Sequence, residues 1–208
     1  RRIGIVGAGL QARMQLEMLG HVTDCREVTV WGVTREEVDR YAADMGSKGY
    51  SIATTLDADE GCASCNLIVT ATPSKKPLLR AESIRPGTHI TAMGSDTPEK
   101  QELDVEILRK ADIVVADSLS QCRARGEVFR ALEAGVIEHG EVRELGHVIQ
   151  NGALQRQTDE QITVADLTGV AVQDIQIAKA VSRPLQSNAQ GFEVTVSAPA
   201  APSAAWAG

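Results

Sequence analysis

The chain has 208 residues, enough for one ordinary domain with a sizeable core. Hydrophobic residues make up 43% and charged residues 24%, but aromatics only 3%, so the core must be built from Ala, Val, Ile and Leu, a palette suited to closely packed α/β layers. With 21 basic against 28 acidic side chains the net charge is −7, which supplies no basic stripe for a nucleic-acid partner. No apolar run approaches the roughly 20 residues needed to span a bilayer; the chain reads as cytoplasmic, with no membrane partner.

Strands are expected at Ile3–Val6, Glu27–Trp31, Tyr50–Ala53, Asn66–Ala71, Thr88–Ala92 and Asp112–Ala116. Most are near-continuous apolar runs, as parallel strands covered on both faces require. Helices are expected between them at Gln11–Leu19, at Arg35–Met45 behind a Thr34 N-cap, and at Asp104–Lys110. The alternation predicts an α/β fold: a doubly wound, mostly parallel Rossmann-type sheet with helices on both faces.

Past Asp117, Glu127–Ala134 reads as a helix ended by Gly135, and Glu144–Ile149 as a strand or extended connection closed by Asn151-Gly152. Residues 169–182 read as a helix that is apolar nearly all round, and such a helix is expected to be buried, in this domain or against a partner or further domain. Residues 1–183 are therefore assigned to one domain. Residues 184–208, rich in Ala and Pro around a strand-like Phe192–Val196, have linker composition, and Ser187-Asn188-Ala189 looks vector-derived. The chain opens without Met, almost inside a strand, so further sequence upstream is expected.

The segment Gly7-Ala8-Gly9-Leu10-Gln11-Ala12 fits G-x-G-x-x-G/A directly after a strand and at the start of a helix. In that setting Gly7 permits the tight turn, Gly9 lets the backbone approach a pyrophosphate, and Ala12 allows close helix-strand packing. The phosphates would then sit over free N–H groups at the helix N-terminus, so NAD or NADP is the expected cofactor. After the second strand the chain reads Gly32-Val33-Thr34-Arg35, with no acid for a ribose 2′-hydroxyl; Thr34 and Arg35 tilt the choice slightly toward NADP through contact with a 2′-phosphate.

Two polar clusters, Thr70-Ala-Thr-Pro-Ser74 and Gly94-Ser-Asp-Thr-Pro98, fall at the carboxyl ends of later strands, where a nicotinamide site belongs and where ordinary turns also occur. Cys62-Ala-Ser-Cys65 has the CxxC spacing of a redox or zinc site, but no second CxxC or His pair accompanies it, so two small side chains on a short helix are expected and no metal site is assigned. His21, His89, His139 and His147 are scattered and read as surface or core residues.

The segments Gly7–Ala12, Thr70–Ser74 and Gly94–Leu103, together with Val115-Ala-Asp117, Gly126-Glu127, Asp159–Val164 and Gly169–Asp174, resemble the ornithine cyclodeaminase/mu-crystallin family, and the wording of Asp166–Asp174 looks most like its ectoine-utilisation branch. The resemblance implies that Asp96 is the catalytic residue acting on the substrate amine. It also implies that Leu10, Gln11, Thr72, Met93 and Lys100 contact the cofactor, and that Thr168 and Gly169 close over nicotinamide and substrate. The implied activity is hydride abstraction from an amino acid's α-carbon with release of ammonia. Its alternatives are NADPH-dependent reduction of a cyclic ketimine and non-catalytic, NADPH-dependent ligand binding. The substrate is thus an amino acid or cyclic imine. Its carboxylate would be held by an N-terminal substrate and dimerisation domain outside these residues, in a homodimer. The chain alone is then expected to bind dinucleotide weakly and to show no turnover. At Gly32-Val33 the sequence departs from ornithine cyclodeaminase, which has an Asp there; that puts NAD preference and ornithine in doubt.

Overall fold

In the computed structural model, which describes residues 1–187, β1 (Ile3–Val6) is buried at every position. The side-chain alternation of a strand splits the core between two faces. Ile3 and Ile5 cluster with Ala12, Leu16, Val38, Tyr41 and Met45, whereas Val6 clusters with Cys62, Ile68, Ile90 and Leu108.

There follow α1 (Leu10–Leu19), β2 (Glu27–Trp31), α2 (Arg35–Gly46), β3 (Ser51–Thr55), α3 (Ala58–Cys62), β4 (Leu67–Thr70), β5 (Lys75–Leu79), β6 (His89–Ala92) and β7 (Gln101–Leu103). Then come α4 (Val105–Lys110), β8 (Ile113–Ala116), α5 (Leu119–Cys122), α6 (Gly126–Glu133), β9 (Val142–Glu144), α7 (Leu145–Gln150) and β10 (Thr163–Asp166). Eight strands form one sheet in the order β3-β2-β1-β4-β6-β10-β8-β9, and every neighbouring pair in it is parallel. The expected doubly wound α/β architecture is therefore present. Short strands β5 and β7 pair separately, also in parallel.

The chain builds outward from β1 through β2 to β3, then returns to place β4 on the other side of β1. This reversal opens a crevice at the carboxyl ends of β1 and β4, the place where open α/β sheets bind ligands. Two segments differ from expectation. Leu145–Gln150 is a helix instead of a strand, because Leu145 and Val148, three residues apart, both turn onto an apolar cavity with Ile113, Val115 and Ala165. Thr163–Asp166, unassigned from sequence, is a strand inserted between β6 and β8.

Cys62 and Cys65 are buried, and a Cβ on Gly4 would lie 3.2 Å from either sulfur. Burial pushes both thiols up from their ordinary range, so they behave as packing groups. Beyond Val170 the chain forms a separate unit, whose helix α8 spans Ala171–Ser187. Its Val172, Ile175, Ile177 and Val181 are 52–65% exposed. The linker, vector-junction and Phe192–Val196 expectations fall on residues that, from 188 onward, lie outside the described ones. Among the described residues no helix is long and apolar enough to cross a membrane.

Candidate functional site at the β1/β4 crevice

The crevice holds a cavity of about 420 Å³ lined by the turn after β1 (Gly7, Ala8, Gly9), the end of β2 (Trp31, Gly32, Val33), Glu37 of α2, and the loop after β4 (Ala71 to Ser74). The two fingerprint glycines serve different needs. Gly7 has φ +117° and a Cβ there would sit 2.7 Å from the Ala71 carbonyl oxygen, so the protein's own backbone demands glycine. At Gly9 a Cβ would meet nothing within 4 Å, so its bare Cα is not needed for protein packing and leaves the approach to the α1 N-terminus clear. Gly9 is also the N-cap of α1 and supplies no side-chain acceptor, and no acid occupies the first turn. These orphan N–H groups and the helix dipole suit an anion, as a pyrophosphate requires.

A second cavity of about 210 Å³ shares Ala71, Thr72 and Pro73 with the first and adds Gln11, Met93, Gly94, Asp96 and Lys100. Five residues expected at the site from sequence thus converge here: Gln11, Thr72, Met93, Asp96 and Lys100. Asp96 is exposed, and its Oδ1 lies 2.6 Å from Lys100 Nζ, one turn on. The loop that carries them is folded on itself, with Ser95 Oγ donating to the Lys100 carbonyl at 2.9 Å.

The remaining expected residues lie elsewhere. Leu10 opens α1 and is 71% exposed. Thr34 caps α2 in a reciprocal box: its Oγ1 accepts from the Glu37 N–H at 3.3 Å while its own N–H donates to Glu37 Oε2 at 3.2 Å. Arg35 turns away from the larger cavity, donating to Thr54 Oγ1 at 3.0 Å and lining a polar depression with Arg2 and Asp57. Thr168 and Gly169 follow β10 and line neither cavity; the Thr168 hydroxyl and the Gly169 N–H both donate to the Asp117 carboxylate, at 3.2 and 2.8 Å.

Two contributors were not expected from sequence. Glu37, whose Oε2 accepts the Thr34 N–H, lines the larger cavity two residues beyond Arg35. Gly32 has no Cβ because one would lie 2.8 Å from Val38 Cγ1 and 3.2 Å from Ala8 Cβ. The second is Glu102 on β7, fully buried below the smaller cavity. Its carboxylate accepts from Thr70 Oγ1 at 2.6 Å, from the Thr72 N–H at 2.6 Å and from the Gly94 N–H at 2.8 Å. Burial raises its pKa, and the three donors pull it back.

Behind Glu102 lie two more buried acids. Glu127 accepts from the Glu102 and Leu103 N–H groups at 2.7 and 3.2 Å; burial, and then the nearby Asp166 and Glu102 carboxylates, push it up to about 8. Asp166 accepts from the Val128 N–H at 2.8 Å and is pushed up to about 7, chiefly by burial. Glu102 falls within the Gly94–Leu103 stretch of the family resemblance, but a lone acid in a three-residue strand has no spacing that marks its role.

Comparison with known proteins extends this geometry. The alanine dehydrogenase of Archaeoglobus fulgidus is 41% identical over 92% of this chain and 59% of its own length. An archaeal alanine dehydrogenase dimer solved with bound NAD superposes with a TM-score of 0.86 at 38% identity, covering 94% of this chain and 61% of the other. The iminosuccinate reductase of Paracoccus denitrificans, solved with NAD+, gives a TM-score of 0.83 at 34% identity, covering 90% and 57%. The chain therefore spans a little over half the length of the relatives it matches. The sequence profile of the ornithine cyclodeaminase/mu-crystallin family matches residues 1–189, and the chain belongs to that family.

Proposed function

We propose that this chain is the dinucleotide-binding part of an NAD-dependent oxidoreductase that acts on the α-carbon of an amino acid or cyclic imine. The observation that carries this reading is the convergence, around one loop after β4, of the Gly7–Gly9 turn on one side and of Met93, Gly94, Asp96 and Lys100 on the other. Adenosine and pyrophosphate fit the larger cavity and nicotinamide the smaller. A bound nicotinamide would supply the hydride acceptor or donor.

The residues of the chain then do the following. Gly9 and the first N–H groups of α1 hold the pyrophosphate. Asp96 takes a proton from the substrate amine or returns one, and Lys100 orients the Asp96 carboxylate through their ion pair. Glu37 replaces Arg35 as the charge next to the adenosine ribose, and a carboxylate there disfavours a 2′-phosphate; this supports NAD over the NADP suggested by Thr34 and Arg35.

Reduction or oxidation at a C–N bond is supported by the alanine dehydrogenase and iminosuccinate reductase relatives, at 41% and 35% identity, and cyclodeamination by a 39% identical relative named as an uncharacterized cyclodeaminase. Cations for the substrate carboxylate, and a surface to cover the exposed apolar side chains of α8, are assigned to residues outside this chain. The test is turnover of NAD with alanine, proline and ornithine by a protein containing this chain and such residues. Asp96→Asn is expected to remove turnover and keep NAD binding. Undiminished turnover in that variant would contradict the assignment.

A further inference from the structure

We infer that Glu102 is a positioning residue for the nicotinamide end of the site, acting by locking the loop after β4 to the loop after β6; the inference rests on the dinucleotide reading above. The two loops together form the smaller cavity: Thr72 and Pro73 come from one, Gly94, Asp96 and Lys100 from the other. Their backbones touch so closely that a Cβ on Gly94 would lie 2.2 Å from the Thr72 carbonyl oxygen and 2.5 Å from Glu102 Oε1. The Glu102 carboxylate sits at this junction and is the acceptor common to both loops. Oε1 takes the Thr72 N–H, and Oε2 takes the Gly94 N–H together with the hydroxyl of Thr70 at the end of β4.

Nothing in this arrangement is catalytic. Glu102 is fully buried, lines neither cavity, and has only O–H and N–H partners. Burying a carboxylate without a cation is costly, and here the buried group joins the two loops that would enclose the nicotinamide. The carboxylate is itself held in place, because the N–H groups of Glu102 and Leu103 donate to Glu127, whose helix start is tied to Asp166 through the Val128 N–H. The position of Asp96 and Lys100 relative to Thr72 is thus set from beneath, by a residue that a ligand never meets.

An amide cannot replace this carboxylate. Whichever way the side chain of Glu102→Gln turns, its NH2 faces a backbone N–H, that of Thr72 or that of Gly94, and one half of the lock opens. The probes are NADH and ADP-ribose, the latter lacking nicotinamide and so reporting on the larger cavity alone. Titration calorimetry on the chain is expected to show that NADH binds wild type more tightly than ADP-ribose. Glu102→Gln should lose about tenfold in NADH affinity while ADP-ribose affinity holds.

Thr70→Val, which removes one of the three donors and keeps the shape, should show a smaller loss of the same selectivity and decides the question if Glu102→Gln does not fold. Equal losses for both probes, no loss for either, or a wild type that binds NADH no more tightly than ADP-ribose would overturn the inference and leave the dinucleotide reading standing. A wild type that binds neither probe would overturn both.

Discussion

The two cavities at the crevice are built by different means. The larger is made by backbone: glycines at positions 7, 9 and 32, one positive φ, and a helix start without a side-chain cap. The smaller is made by side chains, with an Asp96–Lys100 pair at its surface and buried acids beneath. A backbone-made site is fixed once the turn forms and is insensitive to pH. A site resting on buried carboxylates depends on the protonation of groups it never exposes.

Substitution of Gly7 tests the first half of this contrast most severely. Gly7→Ala forces a side chain into φ +117° and against the Ala71 carbonyl, so about 3 kcal/mol of stability should be lost in urea unfolding along with dinucleotide binding. A stable, binding-competent Gly7→Ala would refute the claim that the turn fixes the site.

The second half predicts a pH effect. Glu127 and Asp166 are raised in the folded state to about 8 and about 7, above their unfolded values near 4. Their contribution to stability is therefore complete below about pH 4 and is lost as pH rises through about 7 to 8. The thermal midpoint should fall between about pH 5 and about pH 8 and level off above that, and Asp166→Asn should flatten that fall. A wild-type midpoint that rises over this window would show that the acids are held ionised.

Smaller effects sharpen the larger cavity. Gly9→Ala meets no protein atom, so stability should change by no more than about 1 kcal/mol, the scale of an N-cap exchange, while NAD affinity falls about tenfold. Glu37→Gln keeps the capping box and removes the charge, so NADP should gain several-fold on NAD in parallel titrations. Arg35→Ala should leave both affinities unchanged, because its guanidinium is engaged on Thr54; a loss confined to NADP would restore Arg35 to the site.

The contrast also explains what was legible in sequence. β1, the Gly7–Ala12 turn and α1 could be read because backbone requirements force particular residue types at fixed spacing. Glu102 could not, since its role depends on Thr70, Thr72 and Gly94, brought to it across 32, 30 and 8 residues of chain. Strand β10 has no signature in sequence, because Thr163-Val-Ala-Asp166 is short and is defined as a strand only by its pairing with β6 and β8. Helix α7 reads as extended in sequence because a segment of six residues has no clear period until a partner surface selects one face. Arg35 and Glu37 fall within the same first turn of α2, so sequence alone does not say which of the two charges faces the larger cavity.

The central claim is that a dinucleotide lies in the β1/β4 crevice with its pyrophosphate at Gly9. It is tested most directly by titrating the chain with NAD while following the fluorescence of Trp31, which lines that cavity, in wild type and in Gly9→Ala. The account predicts a saturable change in wild type and a binding curve shifted about tenfold to higher NAD in the variant. No saturable change, or identical curves for the two proteins, would contradict it.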